Sequence, residues 1–505
     1  MIMKLFAHEQ MKKWDEFTCS QSGIRSWQLM ERAAIACKDW LLNAGMAKQP
    51  IHIFCGKGNN GGDGLALARL LHDEKTTVTV HILETGKPGT PDFQENLQKI
   101  HTTDLPVHYL QQPEHFPVIK PTDLIIDALA GIGFSGNPRG LFCDLITYLN
   151  NADCPIVSID QPSGLNAERI TEMGICIEAN DTLTFERPKL AFMFAANERF
   201  TGNIHIIPIG LSKEFDLHEP SAYEIPDEIL VRSIYRPRGK FTHKGNYGHA
   251  CLVAGSTGMM GAAVLASMSV GRAGAGKLSC YTVPEGFPAL HTAVPEAMTG
   301  TLEELLLIMR SGEKPHSAIA AGPGIGTTEG ITKWFTTLLK VAEQPMILDA
   351  DALNIIAAHP EWMDKLPKGS LLTPHPKEFD QLFGKSADET ERLYKAMTFA
   401  SALKVHIILK GHHTAIITPG GQVYFNNTGN AGMAKAGMGD VLTGLLLGLM
   451  AQGYLLPEAA ILGVYLHGLA GDIAALEYSM EAMQASDVTN MLGEAWKKIS
   501  SEVSG

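Results

Sequence analysis

What this chain lacks narrows it first. Its 505 residues hold eight cysteines, with no CxxC pair and no Cys/His ligand spacing, so neither a zinc site nor a disulfide framework is expected. Thiols spaced this way suit a reducing compartment, and a cytoplasmic location is the expectation. The opening residues, Met1-Ile-Met-Lys-Leu-Phe-Ala-His-Glu9, lack the apolar core and small-residue cleavage site of a secretory leader. Long apolar runs are missing too: stretches such as Val441–Met450 are short and broken by glycine, so no membrane partner is expected. Basic charge is scarce, with 41 Lys and Arg against 54 Asp and Glu and a net charge of −13. That excludes a duplex nucleic-acid binder, which needs a basic face. Anionic small ligands remain open, because clustered main-chain N–H groups hold them against an unfavourable net charge. Short-period repeats and low-complexity segments are absent as well.

What is present reads as an α/β protein. Hydrophobic residues are 45% and charged residues 19% of a chain long enough for two or more full cores. A helix is expected over Ser26–Leu42, followed by strands at Ile51–Cys55, Val78–Leu83, Leu124–Asp127, Ile156–Ile159, Thr182–Phe185 and Ile204–Pro208. Short apolar strands alternating with helices predict a mainly parallel sheet covered on both faces, with ligands at the carboxyl ends of its strands. Polar, proline-bearing sequence over 213–240 reads as a linker, leaving domains at 1–212 and 241–505. A second α/β series follows, with strands expected at His249–Ala254, Leu278–Val283, Ser317–Ala321, Met346–Asp349, Ser370–Thr373, Val405–Leu409 and Ala415–Thr418. Gly411 to Gln422 reads as a strand pair turning at Pro-Gly-Gly.

The most informative segment is Asn430-Ala-Gly-Met-Ala-Lys-Ala-Gly-Met-Gly-Asp440, which runs into the apolar stretch from Val441. Small residues leave main-chain donors open where a helix begins, a setting that favours an anion. Asp440 repels a bound phosphate unless it handles a proton or a cation, so phosphoryl chemistry fits better than phosphate storage. A glycine-rich turn before a core helix is the competing reading.

In the first half, Gly56-Lys-Gly-Asn-Asn-Gly-Gly-Asp-Gly64 follows a strand and precedes a helix over Leu65–Leu71, with Glu84 at the end of the next strand. This is the context of a dinucleotide fingerprint. Asn59, Asn60 and Asp63 add polar groups suited to an uncharged polar group, a ribose or a small cation. Asp127-Ala-Leu-Ala-Gly-Ile-Gly-Phe-Ser-Gly-Asn137 and Asp160-Gln-Pro-Ser-Gly-Leu165 end two further strands. Asp160, held between a strand and a proline, suits proton transfer or hydroxyl orientation, against a simple turn cap. In the second half, Gly271-Arg-Ala-Gly-Ala-Gly-Lys277 resembles a P-loop, but Leu278 replaces the Ser or Thr and the helix precedes the strand, so small-residue packing is preferred. Gly322-Pro-Gly-Ile-Gly326, Asp349-Ala-Asp-Ala-Leu-Asn354, Thr373-Pro-His-Pro-Lys-Glu378 and Lys410-Gly-His-His-Thr414 sit at strand ends. His375 lies between prolines and should project; Lys410 offers a point cation for phosphate; His412 and His413 read as loop residues.

The first-half motifs resemble the NAD(P)HX epimerase family over about residues 10–212. The resemblance implies a Rossmann-like three-layer sandwich that epimerises C6 of hydrated NADH or NADPH. It implies substrate contacts at Asn59, Asn60, Gly61, Gly62, Asp63, Gly131, Ile132, Gly133, Phe134, Ser135, Gly136, Asn137 and Asp160. Potassium (K+) would be held near Asn60, Asp127 and Ser163. Gln161 departs from the family's usual aliphatic residue. The second-half motifs, with His243-Lys-Gly-Asn-Tyr-Gly248, resemble the NAD(P)H-hydrate dehydratase family over about 227–500. That resemblance implies a ribokinase-like domain binding hydrate at Ala262, Gly324, His375 and Asp440, and ADP with Mg2+ at Lys410, Gly411, His412, His413, Thr414 and Gly439. Together they imply a bifunctional repair enzyme acting on NADHX and NADPHX, an isomerase plus an ADP-dependent lyase, and a homo-oligomer. Asp160 and Asp440 are the expected proton carriers. A ribokinase-like kinase fused to a nucleotide-binding module is the rival.

Overall fold

The computed structural model describes residues 2–134, 136–170 and 174–501. It divides into two compact units, Lys4–Ser221 and a second that runs from Ala222 onward and includes the first three residues.

In the first unit, helices α1 (His8–Ser22) and α2 (Ser26–Asn43) precede strand β1 (Ile51–Cys55) and helix α3 (Asn59–Asp73). The other strands are β2 (Val78–Leu83), β3 (Val107–Leu110), β4 (Leu124–Ala128), β5 (Ile156–Ile159), β6 (Asp181–Phe185) and β7 (Asn203–Ile207). All pair in parallel, in the order β3-β2-β1-β4-β5-β6-β7. Every residue of β4, β5 and β6 is buried, as expected for strands covered on both faces. The chain steps outward from β1 to β3 and then returns to β4 on the other side. The crevice at that reversal is where an open α/β sheet receives its ligand. Strand β3 was missed because its middle residues, His108 and Tyr109, are exposed at the sheet edge.

The second unit contains β8 (Tyr223–Ile225), β9 (His249–Val253), β10 (Lys277–Tyr281), β11 (Met298–Gly300), β12 (Ala318–Ala321), β13 (Met346–Leu348), β14 (Leu371–Leu372), β15 (His406–Leu409), β16 (Ala415–Ile417) and β17 (Val423–Phe425). Their order is β8-β17-β16-β15-β14-β13-β12-β9-β10-β11. Only the pairings of β16 with its two neighbours are antiparallel within that order. The β16–β17 hairpin turns at Pro419-Gly-Gly421, and its second strand begins just past Gln422. Helices α4 (Met260–Ala273), α5 (Pro376–Phe383), α6 (Met438–Ala451) and α7 (Leu456–Tyr478) frame the site. A Cβ on Gly444 would fall 2.1 Å from Ala266 O, and one on Gly448 2.5 Å from the Cβ of Ala273, so glycine lets α6 lie directly on α4. The P-loop look-alike is the end of α4, with Gly274 as its left-handed cap.

The stretch 213–240 holds helices Lys213–His218 and Glu228–Ile234 and strand β8. Helix α7 is long and apolar enough to cross a membrane by length and composition, although most of its apolar stretch is buried inside the protein. Pro457 and the glycines at 463, 468 and 471 concealed that run in the sequence.

Candidate functional site

The first site is assembled where α3 meets β1 and β4. Helix α3 starts at Asn59, so Asn59-Asn-Gly-Gly-Asp63 forms its first turn rather than a loop before a helix at Leu65. Glycine is required there: a Cβ on Gly61 would lie 1.8 Å from Gly56 O, and one on Gly56 1.9 Å from Leu129 O. A Cβ on Gly62 would lie 2.7 Å from the Met30 sulfur of α2. Asn60 is buried, and neither atom of its side-chain amide has a hydrogen-bond partner. An orphaned buried amide costs about 1–3 kcal/mol per group, so this one is disposed toward a ligand.

The loop after β4 passes over Asn60. A Cβ on Gly131 would sit 3.2 Å from the Asn60 Cβ and 3.6 Å from Asp160 Oδ2. Asp160 has a φ of +65°, a left-handed backbone that a non-glycine residue rarely adopts. It is 8% exposed, and its Oδ1 is 2.8 Å from the ammonium of Lys189, itself 2% exposed. Gln161 donates to Gly131 O at 3.2 Å and Leu165 O at 2.8 Å, tying the two loops together.

Asp127 is a knot beneath these loops. It accepts from Ser158 Oγ and Ser163 N at 2.8 Å each, from Ser163 Oγ at 2.5 Å and from Leu129 N at 3.2 Å. Burial pushes its carboxyl up, and these donors pull it back. Asn59 and Asp63 line a cavity of about 440 Å³ with Asp15, Ser26 and Asp92. The rest of the predicted set is looser: Gly133 lies near His8, 3.5 Å from its Cβ position, and Phe134 packs edge-on to Phe142. Ile132 is half-buried, Gly136 and Asn137 are exposed, and Ser135 lies outside the described residues. Glu84, a possible ribose contact, is instead paired with Lys57 and accepts from Gly86 N.

The second site centres on the start of α6. Gly437 takes a φ of +90°, and Asp440 lies in the helix's first turn. A Cβ on Gly439 would be 3.5 Å from Lys410 Nζ and 3.7 Å from Asp349 Oδ2. Lys410 is not a free cation: it pairs with Asp349 Oδ1 at 2.8 Å and lies 3.8 Å from Glu378 Oε2. Asp349 Oδ2 accepts from Thr443 Oγ1 at 2.7 Å. Burial opposes the charge on Lys410, but Asp349 and Glu378 outweigh it and raise its pKa. Burial pushes the Asp440 carboxyl up to about 6, with Asp349 adding to the rise and Lys410 offsetting it.

His375 caps α5 instead of projecting freely. Its Nδ1 accepts from Lys377 N at 3.1 Å and Glu378 N at 3.2 Å, which leaves Nε2 to carry the proton in the neutral ring. Ala262 and Gly324 meet, with 3.1 Å between the Ala262 Cβ and a Cβ on Gly324. His375, Lys410, Gly411, His412, Thr414 and Gly439 line one cavity of about 680 Å³, together with the Asn430–Ala436 loop and His467 of α7. His413 is turned toward Asn426 O at 3.3 Å. Among the described residues no three His, Cys, Asp or Glu side chains form a group able to hold a metal ion.

Asp15, Lys189, Glu378 and His467 were not singled out from the sequence as site residues. Lys189 follows a strand end in Glu186-Arg-Pro-Lys189, a signal that was available. Asp15 sits on the polar face of α1, which reads as ordinary solvated surface.

Residues 250–493 match the family model for NAD(P)H-hydrate dehydratase, and residues 26–191 match that of the YjeF-related protein N-terminus. A bifunctional NAD(P)H-hydrate repair enzyme of Moorella thermoacetica is 34% identical, covering 99% of this chain and 98% of its own. One of Escherichia coli is 32% identical over 93% of this chain and 89% of its own. A solved ribokinase-like superfamily protein of Enterococcus faecalis is 26% identical, with a TM-score of 0.50 over 55% of this chain and 96% of that one.

Proposed function

Because the chain belongs to the family of bifunctional NAD(P)H-hydrate repair enzymes, we propose a division of labour between its two units. It is an isomerase and a lyase of nicotinamide nucleotide repair. The first unit interconverts the R and S hydrates of NADH and NADPH at C6. The second returns the S epimer to NAD(P)H, consuming ADP, which arrives as its magnesium complex, and releasing AMP and phosphate.

The hydrate carries its hydroxyl on the carbon next to the ring nitrogen. Nitrogen lone-pair donation stabilises the cation left when that hydroxyl departs, so reversible loss scrambles the configuration. In the first unit Asn59–Asp63 and Gly131–Asn137 position the ring, and Asp160, paired with Lys189, takes a proton. Asn60, Asp127 and Ser163 would hold a potassium ion; the unpartnered amide of Asn60 supports this, and the ion would supply positive charge that orients substrate oxygens.

Hydroxide leaves poorly, so the second unit phosphorylates the hydroxyl before expelling phosphate. Ala262, Gly324 and His375 hold the hydrate, while Lys410–Thr414 and Gly439 hold ADP. Asp440 accepts the hydroxyl proton, and the amides at the start of α6 stabilise the moving phosphoryl group. The observation that carries this reading is Asp440 in the first turn of α6, beside Lys410 and the 680 Å³ cavity.

The test supplies mixed R and S NADH hydrates and magnesium to the full chain, with or without ADP, and follows absorbance at 340 nm. Complete recovery of NADH with ADP is expected. Recovery that stops at the S fraction would leave the first unit a binding module, and no recovery would favour a kinase that keeps phosphate on its product.

A further inference from the structure

The Asn430–Ala436 wall of the 680 Å³ cavity rests on helix α7. Glycines let it come that close: a Cβ on Gly468 would lie 2.3 Å from Thr428 Oγ1, and one on Gly471 2.2 Å from the Met433 sulfur. Thr428 Oγ1 donates to Tyr465 O of the same helix at 2.9 Å. Asp472, also of α7, ties the wall down with its side chain. Its Oδ2 accepts from Gly429 N and its Oδ1 from Asn430 Nδ2, both at 3.0 Å. Asn430 passes the tie onward, its Oδ1 accepting from Gly432 N at 3.0 Å and capping the turn Ala431–Met433.

The polarity of this chain of bonds is fixed from both ends. It starts and finishes on main-chain donors, Gly429 N and Gly432 N, with the two side chains between them. Together with the Asn430 amide nitrogen they are matched by the two oxygens of Asp472 and the one oxygen of Asn430. An amide at 472 would offer a single acceptor, so whichever way either amide turned, one N–H would meet another. A pairing left unmade in this way costs more than a made one contributes. The mirror arrangement, an amide at 472 and a carboxylate at 430, satisfies the same main-chain donors.

The wall belongs to the nucleotide end of the second site. Of the residues assigned to the hydrate only His375 lines this cavity, whereas Lys410, Gly411, His412, Thr414 and Gly439 of the ADP set all do. The far end of the wall is held independently, by Lys435 Nζ donating to Glu481 O and Met483 O shortly before Gly437 opens α6. Breaking the Asp472 tie therefore deforms the wall while the approach to Asp440 stays anchored.

Resting on the dehydratase reading of the second unit, we propose that Asp472 is a positioning residue that, through Asn430, shapes the nucleotide wall and sets the affinity for ADP. The test follows NADH at 340 nm from pure S hydrate with magnesium and varied ADP, using the full chain. Asp472→Asn should raise KM for ADP about tenfold or more, with kcat and KM for S hydrate within about threefold of wild type. Asn430→Asp alone should also weaken ADP, because two carboxyls then face each other with no donor between them. The double variant, Asp472→Asn with Asn430→Asp, restores the polarity and should return KM for ADP to within about threefold of wild type. Two merely destabilising changes would add instead of cancelling. Should Asp472→Asn fail to fold, the double variant carries the test, since it is expected to fold and to bind ADP. An unchanged KM for ADP in Asp472→Asn, or a double variant no better than the weaker single, overturns the proposal. A wild-type protein that makes no NADH from S hydrate and ADP would instead remove the dehydratase reading, and the ADP-dependent rise in thermal midpoint would then rank the same variants.

Discussion

The acid limb of the dehydration reaction follows from the surroundings of Asp440. Burial raises this carboxyl first, the negative charge of Asp349 raises it further, and Lys410 limits the rise, leaving it at about 6. As the proton acceptor it must be ionised. With that value about nine-tenths of the population is competent at pH 7 and about one-tenth at pH 5, a roughly tenfold difference. The value of kcat/KM for S hydrate should thus fall with unit slope below pH 6 and level off above pH 7. The assay is NADH appearance at 340 nm with magnesium and ADP, each point checked by returning the protein to pH 7.5. Asp349→Asn removes the negative neighbour and releases Lys410, so both changes should move the limb to lower pH. A flat wild-type profile from pH 5 to 8, or a limb that stays in place in Asp349→Asn, would refute the reasoning.

His81 is 2% exposed, stacks on Phe54 and lies 3.0 Å from the ring of His52; burial first, then its His52 and His108 neighbours, push its pKa down to about 3. An unfolded histidine binds a proton near 6.5 while this one does not, so stability present above that pH drains away as pH falls, by about 2 kcal/mol between pH 7 and 5. Urea midpoints of the first unit, read by pulse proteolysis, should show this loss in the wild type and much less of it in His81→Phe; equal losses would contradict it. Gly322→Ala would place a Cβ 1.8 Å from Asp349 O at a φ of +139°, and a thermal melt should show the second unit destabilised by about 3 kcal/mol or more. An unchanged midpoint would mean that this backbone yields freely. Lys189→Met strands the Asp160 carboxylate in a buried site, so epimerisation at pH 7 should collapse while S-hydrate dehydration persists. Retained epimerisation would show that Asp160 does not depend on its ion pair.

The sequence exposed those parts that depend on local pattern. The buried strands β4, β5 and β6 are short apolar runs, and the glycines of α3 and α6 announce close backbone approaches. Edge strands were harder: β3 presents polar side chains to water, and β11 has three residues. Helix α3 absorbed its glycine-rich motif because Gly61 and Gly64 pack against Gly56 and Ala128, a tertiary effect that overrides the low helix propensity of glycine. The charge pairs were least visible. Lys410 meets Asp349 across 61 residues of sequence, so a lysine that reads as a free phosphate contact is held by two carboxylates. Lys189 reaches Asp160 only through the fold, and no spacing rule connects them.

Mixing two single variants tests the account most directly. Asp160→Asn should convert only the S fraction of mixed NADH hydrates on the timescale of the wild-type reaction, and Asp440→Asn should convert almost none. Combined in one cuvette with ADP and magnesium, the two proteins should restore full recovery of NADH, because each supplies the step the other lacks and the hydrate diffuses between them. A mixture that still stops at the S fraction, or an Asp440→Asn protein that alone recovers NADH at the wild-type rate, would contradict the assignment of the two reactions to these two carboxyls.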